Sequence, residues 1–516
     1  MGCRGSITVF ASLALTVIMS LIFTLLESAR LYGLQTHTET ESRLLIESVM
    51  AQYHIGLYEQ YHLYFREANA QGELSFASLE KDLKALGQEN LEGKVSAAQS
   101  SYSNLYGLKL TDCFVAGYEL ATDFCGAAYR QQAADYMKHM IGVLAVEEWK
   151  EKAEQTEELL QQEDDIREKW DQANQAQDHS QAQSSVSVQS SGQIQRVALE
   201  RVTAPSPHSD ASVPDEPDAS EADTVDNPIT EVRKLMDKGI LSQVVDDVSS
   251  ISGKSLKGES LSERELFRGS YVESTADTNM MDDAWFREYL LREFGCFVEP
   301  EQQGALAYPQ EYFIAGRSSD LENLTAVVER LLVVREVANY LWMRQDAQKS
   351  ALAHSTALVI STLLLQPELV DAITQGILIA WAYMESVSDV RTLLEGGRVP
   401  LLKQGNDIQE SHAAAAVDSG EETSASEGSG LSYQDYLRIF MYLTGKEKLT
   451  MRSLNFMEKS IRLLEGEEQF AMDCVVAVME ISCRYQAEPL FFGWFGSGEG
   501  WKGNYLFVRN QKAAYQ

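Results

Sequence analysis

Two histidines are the residues whose type and spacing come closest to a reactive or metal-binding site. His54 and His62 lie eight residues apart in a predicted helix, roughly on one side of it. Imidazoles placed in this way can share a metal ion when a third ligand stands beside them. No such ligand is near in the sequence, and the His-Glu-x-x-His pattern of zinc enzymes does not occur. We therefore interpret both histidines as solvated or stacked side chains.

Two further patterns resemble catalytic motifs but fail on spacing, and a third is a pair of acidic residues. Residues 253–255 (GKS) resemble the end of a phosphate-binding loop, but Val248 stands where that motif needs a glycine. Residues 496–498 (GSG) lack the spacing of a nucleophile elbow. Glu385 and Asp389 form an acidic pair one helical turn apart, which is common on solvated faces. The sequence predicts no catalytic residue, no cofactor and no metal.

The six cysteines do not form an obvious disulfide framework. With Cys3 before the long apolar segment, an odd number remains after it. Cys113 and Cys125 could pair if a turn brings them together. Cys474 and Cys483 fall in a predicted helix, about 13 Å apart along its axis, which is too far for a bond. No Cys-x-x-Cys occurs, which argues against zinc, and we expect buried free thiols elsewhere.

Composition excludes one broad class of function. The chain has 516 residues and a formal net charge of -34, whereas nucleic-acid binding needs a basic face. Its hydrophobic content of 44% is that of a globular protein, so a sizeable core can form.

The element that must position the rest of the chain relative to a membrane is an uncharged run at residues 7–26. Its 20 residues would make about 30 Å of helix, the thickness of the hydrocarbon core of a bilayer. A cleaved signal peptide is the alternative, but the run is full length and has no A-x-A-like exit. Arg4 precedes it without any acidic residue, so we expect the N-terminus in the cytoplasm and the bulk outside the membrane.

Small hydroxyl residues recur at every fourth position of this segment. Such a stripe lets two membrane helices approach closely, and it would form the contact with a partner helix. The alternative is that each hydroxyl bonds to its own helix and is merely tolerated. The residues of this candidate packing stripe are Thr8, Ser12, Thr16, Ser20 and Thr24.

The remaining pattern predicts an α+β fold that is mostly helical, with a small antiparallel sheet. We expect the sheet to combine residues 108–122, 294–316 and 504–509, and helices to fill most of the rest, including residues 432–485. Ser319, three residues before Glu322, and Ser432 are the predicted N-caps of two of these helices. Residues 351–384 are very apolar, but Pro367 and nearby acids divide them into two buried helices that are too short to span.

The predicted organisation follows the chain in eight parts. They are a cytoplasmic tip (1–6), the anchor (7–26), a stalk helix (27–68), the first part of an extracytoplasmic head (69–170), a disordered acidic linker (171–228), the second part of the head (229–403), a disordered linker (404–430) and a C-terminal part with a final strand (431–516).

The N-terminus resembles a known class of membrane protein. At residues 4–11 (RGSITVFA) it is similar to TadE- and TadG-like pseudopilins of tight-adherence (Tad) pilus systems, although their glutamate between Val9 and Phe10 is missing. This resemblance implies Gly5 as the processing site. The wider pattern (LLESAR, EYFIAG, WAYMES, SYQDYLRIF) resembles an uncharacterised family of single-anchor envelope proteins of anaerobic Gram-positive bacteria, found beside Tad pilus genes.

The resemblance implies a place in the cell and no reaction. We therefore expect a non-enzymatic, membrane-anchored, extracytoplasmic structural or assembly component of a Tad-pilus-like envelope machine, whose partners are reached through the anchor helix. The alternatives are a cell-surface enzyme acting on wall polymer or peptide, and an extracytoplasmic binding protein. Paired acids or a histidine lining a deep cleft would support the enzyme.

Overall fold

A computed structural model gives the fold of this chain. It describes residues 4–70, 72–92, 106–140, 146–176, 227–274, 276, 280–363, 366–403, 430–490 and 503–515. The predicted disordered linkers, 171–228 and 404–430, lie almost entirely outside these ranges, as do residues 496–498.

The described chain is mostly helical, as predicted. Its helices are α1 (Arg4–Met50), α2 (Ile55–Tyr61), α3 (Ala77–Glu92), α4 (Asp123–Met140), α5 (Val146–Leu160), α6 (163–176), α7 (Pro228–Met236), α8 (Ile240–Val244), α9 (Met280–Glu293), α10 (Pro309–Ala315), α11 (Asp320–Gln345), α12 (Ala347–Leu363), α13 (Val370–Leu394), α14 (Tyr433–Leu443) and α15 (Lys446–Ile461). Its strands are β1 (Arg66–Glu67), β2 (Asn69–Ala70), β3 (Glu73–Leu74), β4 (Leu108–Leu120), β5 (Arg398–Val399), β6 (Leu431–Ser432), β7 (Val475–Ala487) and β8 (Tyr505–Ala514).

Strand β7 is the centre of the main sheet. It pairs antiparallel with β4 on one side, and with β8 and the short β1 on the other. Met479, Ile481 and Tyr485 of β7 pack with α1 and α3 in one apolar core, whereas Val475 and Ala477 belong to the larger helical core. Because β7 belongs to both cores, it joins the sheet to the helical body.

Nearly all of β7, from Val475 to Tyr485, was predicted wrongly as helix. The strand is buried along nearly its whole length, so it reads as a continuous apolar run without the alternation of a half-buried strand. Its β-branched residues Val475, Val476, Val478 and Ile481 were the available signal for a strand.

Residues 294–316, all of which the structure describes, do not contain the paired strands that were predicted there. Residues 309–315 form α10 instead, with Pro309 in its first turn and Gly316 in the left-handed conformation (φ 71°) at its C-cap. Six of its residues are buried, so the apolar run could not distinguish strand from helix. The other two predicted strands, near 108–122 and 504–509, are confirmed as β4 and β8.

Helix α1 is continuous through the apolar segment but ends at Met50, not near residue 68. The end of α1 was missed in the sequence for two reasons. Leu57 and Tyr61, which are buried in the separate helix α2, extend the apolar pattern beyond Met50, and no proline lies between the two helices. The buried half of α1 begins at Glu27, which is 0% exposed. Residues 27–50 therefore pack against the head, and the predicted free stalk is incorrect.

The disulfide joins two cysteines that the sequence analysis did not connect. Cys113 of β4 is bonded to Cys483 of β7, and these residues face each other in register with a Cα–Cα distance of 4.2 Å. Cys125 is free and exposed, while Cys296 and Cys474 are free and buried. The pairing of Cys113 with Cys125, which the sequence left open, therefore does not occur, and Cys483 was missed as the partner because its strand was predicted as a helix.

Several local predictions are confirmed. Ser319 caps α11 by accepting from the Glu322 amide, and Ser432 opens α14 with a complete capping box. The apolar stretch near Pro367 forms the separate helices α12 and α13. Within the described ranges, α1 is the one helix long and apolar enough to cross a membrane.

Candidate functional site

A polar cleft of about 680 Å³ lies beside the end of α9. The loop at 295–304, the start of α10 and one side of α14 complete it. Carboxylates, guanidinium groups and side-chain amides line the cleft, together with the buried rings of Tyr61 and Phe294. Convergent polar groups give a binding site its specificity, so this cleft is the candidate site.

The loop of the cleft is shaped by its own backbone and by Gly295. The Cys296 amide donates to the Glu299 carbonyl (2.9 Å), and the Glu301 amide donates to the Ala307 carbonyl (2.8 Å). A Cβ added to Gly295 would lie 2.6 Å from the Glu301 nitrogen, so a side chain there would push the loop away. The loop is thus held over the cleft by local bonds.

Gln310 is the most deeply buried polar group of the lining, at 1% exposed. Its Nε2 donates to the carbonyls of Leu291 and Phe294. Because both partners are acceptors, they fix which end of the amide is nitrogen. Oε1 has no hydrogen-bond partner among the described residues and almost no accessible surface, so it is a buried acceptor behind the wall of the cleft.

The positive charge of Arg438 in α14 is neutralised by acidic side chains. Arg438 binds Glu288 through two bonds, Nε to Oε1 at 2.7 Å and Nη2 to Oε2 at 3.1 Å, and it also pairs with Asp435. Its guanidinium lies over the Trp149 ring, 4.5 Å from the centroid. Burial of Glu288 in this bidentate pair leaves it poorly suited to general acid or base work.

His62 also has fixed partners at the edge of the cleft. Its Nδ1 lies 3.0 Å from Glu293 Oε2, and its ring is stacked on Tyr136 with centroids 4.8 Å apart. The residue adopts φ 56° as the C-cap of α2. The prediction of a stacked histidine is confirmed here.

The possible nucleophiles of the cleft are held in their protonated forms. Burial, assisted by the nearby charge of Glu311, raises the pKa of the Cys296 thiol to about 12. Burial, and to a lesser extent the charge of Glu301, raises the pKa of the Tyr61 phenol. Because the thiolate and not the thiol attacks, Cys296 is a structural residue at neutral pH.

His54 belongs to a second cluster of titratable groups, with Glu67 and Glu467. Its Nε2 lies 3.3 Å from Glu467 and 4.0 Å from Glu67, and its ring packs on Phe470. Nδ1 accepts from the Leu57 amide (3.2 Å), so the proton of the neutral ring is on Nε2. A metal would need the lone pair at that atom, so these three residues do not fit a metal ion.

The other sequence motifs serve the fold. Lys254 of the GKS tripeptide donates to the Gly304 carbonyl (3.1 Å). Asp389 is buried, not solvated, and it binds Arg335 (2.8 Å) and Lys403 (3.1 Å). The acidic pair with Glu385 is therefore part of a buried ion-pair network, which sequence spacing could not reveal because its partners are remote.

Along the anchor, three hydroxyls of the candidate stripe bond to their own helix. Ser12 donates to Val9 (2.9 Å), Thr16 to Ser12 (2.8 Å) and Thr24 to Ser20 (2.8 Å), each to a backbone carbonyl. The stripe is exposed on the described chain. Its role in packing stays a prediction, as does processing at Gly5 in the first turn of α1.

Comparison with known proteins assigns the chain to a protein family. Residues 218–487, just over half of the chain, match a family of unknown function, DUF5702. The chain belongs to the DUF5702 family. No curated protein and no solved structure matches the chain.

The DUF5702 segment contains most of the polar cleft and none of the anchor. It includes α9, the 295–304 loop, α10, α14 and β7, whereas α1, β4 and β8 lie outside it. Sequence reasoning missed the cleft because its residues belong to no short motif. The run of acids and amides at 299–303 (EPEQQ) was the available signal, and only the fold shows that it lines one cleft with Gln310.

Proposed function

We propose that this DUF5702 protein is a non-enzymatic, membrane-anchored, extracytoplasmic component that assembles with a Tad-pilus-like envelope machine. The observation that carries the proposal is the continuity of α1. A single helix passes from an exposed apolar half into a half that is buried under the sheet, so the head and the anchor move together.

The junction between the two halves supports a head that lies close to the membrane surface. Glu27, the first residue after the apolar run, is buried and pairs with Arg30 at 3.1 Å. Arg30 also donates to the Tyr106 carbonyl, and the Leu490 amide donates to Glu27. Contacts with the head therefore begin within one turn of the predicted span.

The cysteines support an oxidising compartment. A disulfide between β4 and β7 is stable outside the cytoplasm, where thiols are not kept reduced. This supports the orientation proposed from Arg4, with the bulk of the chain on the extracytoplasmic side of the membrane.

The cleft supports binding over catalysis. Glu288 and Glu293 are committed to Arg438 and His62, and the Cys296 thiol stays protonated. The described lining offers no nucleophile beside a base. The pilus assignment itself rests on the resemblance of residues 4–11 and on the wider sequence pattern.

The anchor stripe is the contact element in this proposal, and substitution tests it. Replacing Ser12, Thr16 and Ser20 by leucine keeps the segment apolar but fills the groove that close helix approach requires. At about 0.6 kcal/mol for each position, three losses predict a decrease of roughly tenfold or more in the recovery of pilus components with the tagged, detergent-extracted protein.

A matched set on another face controls for helix composition. Leu13→Ile, Val17→Ile and Leu21→Ile should leave both membrane insertion and partner recovery unchanged. If the two triple variants recover pilus components equally well, the hydroxyls are only tolerated in their own helix, and the anchor is not the contact element.

A further inference from the structure

The base of the head lies level with the end of the apolar run. The Leu490 amide donates to Glu27 Oε1 (3.4 Å), and Tyr505 at the start of β8 lies close enough to interact with the same carboxylate. Glu27 directly follows the last residue of the apolar run. The chain just after β7 and the start of β8 are therefore held at the height where the predicted span leaves the hydrocarbon.

Strand β8 leads away from this level alongside α1. Four residues after Tyr505, the Arg509 Nε donates to Thr38 Oγ1 (3.1 Å), well beyond Glu27 on the helix. Height above the span can therefore be read along β8 at about 3.3 Å per residue. Asn510 is exposed on the same side of the strand as Leu506 and lies about 13 Å farther along it.

Large apolar side chains are exposed at the level of the base. Leu490 is 61% and Leu506 is 73% exposed, and Tyr32, five residues beyond Glu27 on α1, is 74% exposed. Leucine side chains leave water when they enter lipid, and tyrosine is enriched at membrane interfaces because its ring is apolar and its hydroxyl is polar. The sequence at 491–502 (FFGWFGSGEGWK) adds five aromatic residues and two charges. This composition is typical of the interface of a bilayer.

The charges nearest these contacts are paired within the described chain. Arg30 pairs with Glu27 at 3.1 Å and donates to the Tyr106 carbonyl. Lys109 lies 3.6 Å from Glu488. The formal net charge of -34 opposes adsorption to an anionic surface. Apolar contact is therefore the attraction that the base offers, and a lipid boundary is the partner that it fits.

We propose that the base of the head is a lipid-contacting surface, in which Leu490 and Leu506 lie in the interface of the bilayer that α1 spans. The inference rests on the anchoring part of the proposed function and does not depend on the pilus assignment. The anchor sets the height of the head, and this second attachment sets its tilt against the membrane.

Fluorescence quenching on the full-length protein tests the surface. An environment-sensitive dye is attached to Gly503→Cys, where an added side chain meets open space, in a Cys3→Ser, Cys125→Ser background. The protein is reconstituted into phosphatidylcholine vesicles that contain a lipid spin-labelled near its headgroup. Interfacial groups lie about 5–10 Å into the boundary, so we expect this lipid to quench about half of the emission. The same dye at Asn510→Cys, about 13 Å beyond Leu506, should lose almost none.

Two double variants separate apolar contact from mere proximity to the anchor. Leu490→Gln with Leu506→Gln should reduce the quenching at position 503 by at least about half, since amide side chains stay in water. Val272→Gln with Leu463→Gln removes two exposed apolar side chains elsewhere and should leave the quenching unchanged. All four side chains are exposed, so neither double variant removes a core contact.

Three results would overturn the proposal. Equal quenching at positions 503 and 510 would mean that the dye, and not the base, seeks the lipid. A blue-shifted emission at position 503 without quenching would mean that a second copy or another protein covers the base. Quenching that requires phosphatidylglycerol in the vesicles would assign the attraction to charge and not to apolar contact.

A dye at Val17→Cys, in the middle of the apolar run, separates this proposal from the anchor itself. A lipid spin-labelled deep in its acyl chain should quench this dye strongly. If position 17 is quenched and position 503 is not, the lipid-contacting surface is wrong and the anchor stands. If neither position is quenched, the anchor is wrong and the surface is wrong with it.

Discussion

At the residue scale, Glu311 is the buried carboxyl with the clearest consequence. Its Oε1 accepts from the Tyr433 hydroxyl and the Phe297 amide, both at 2.8 Å. Oε2 has no partner among the described residues. Burial raises the pKa of this carboxyl to about 7, while the two bonds oppose the shift. The native protein therefore holds a proton there that the unfolded chain releases near its ordinary pKa of 4.5.

The shift predicts a pH-dependent loss of stability. Between about pH 4.5 and pH 7 the unfolded state binds fewer protons than the native state, so the stabilising contribution of the neutral carboxyl is lost as the pH rises. Above pH 7 the loss is complete, at about 3 kcal/mol. Glu311→Gln stays neutral at every pH, and its melting temperature should gain on the wild type by about 3 °C or more between pH 5 and pH 8.

Thermal unfolding followed by circular dichroism at the two pH values measures this gain. Glu447→Gln, which removes one exposed carboxylate, serves as the control for net charge. A melting temperature of Glu311→Gln that stays constant or falls relative to that of the wild type from pH 5 to pH 8 would show that Glu311 is ionised in the native state.

Single residues were the least predictable part of this chain. Glu311 and Asp389 could be read as ordinary helical or strand carboxylates, because their partners Tyr433 and Arg335 are 122 and 54 residues away. The caps Ser319 and Ser432 were predicted correctly, since each acts on the backbone three residues ahead. Local chemistry is visible in a sequence, and a buried remote pair is not.

At the element scale, β7 determines how the two halves of the chain are joined. It pairs with β4, which comes before the 177–226 segment, although β7 itself comes after that segment. The Cys113–Cys483 bond closes this pairing over a separation of 370 residues. A bond across so long a loop stabilises by restricting the unfolded chain.

Cleavage between the halves tests this pairing. With a specific protease site introduced at residue 210, the cut protein should run as one band on a non-reducing denaturing gel and as two bands after reduction. Cys125→Ser should behave in the same way, and Cys483→Ser should give two bands without reduction. Two bands from the cut wild-type protein without reductant would instead support the pairing of Cys113 with Cys125.

The same strand shows why part of the fold could not be predicted. The half-buried β4 and β8 carry alternation or β-branched residues and were recognised as strands. In β7 and α10, burial on all sides removes that periodicity, so a strand was read as a helix and a helix as a strand. Long amphipathic helices such as α11 were predicted correctly.

At the scale of the whole molecule, helix α1 is both the predicted membrane anchor and a structural element of the head. Residues 7–26 are apolar and exposed, whereas Leu34, Leu45 and Val49 of the same helix are fully buried against the sheet. The apolar run was evident from composition alone. Its tight connection to the head was not, because the residues that cover α1 come from α3, β7 and β8.

The most direct test of the account is which side of the membrane carries the head. Cys125 suits this measurement because it is free and exposed, while Cys296 and Cys474 are buried and Cys113 is bonded to Cys483. A membrane-impermeant maleimide added to intact cells should label the wild-type protein, and Cys125→Ser should remove the label. Labelling of Cys125 that appears only after the cells are lysed would place the head in the cytoplasm and contradict the account.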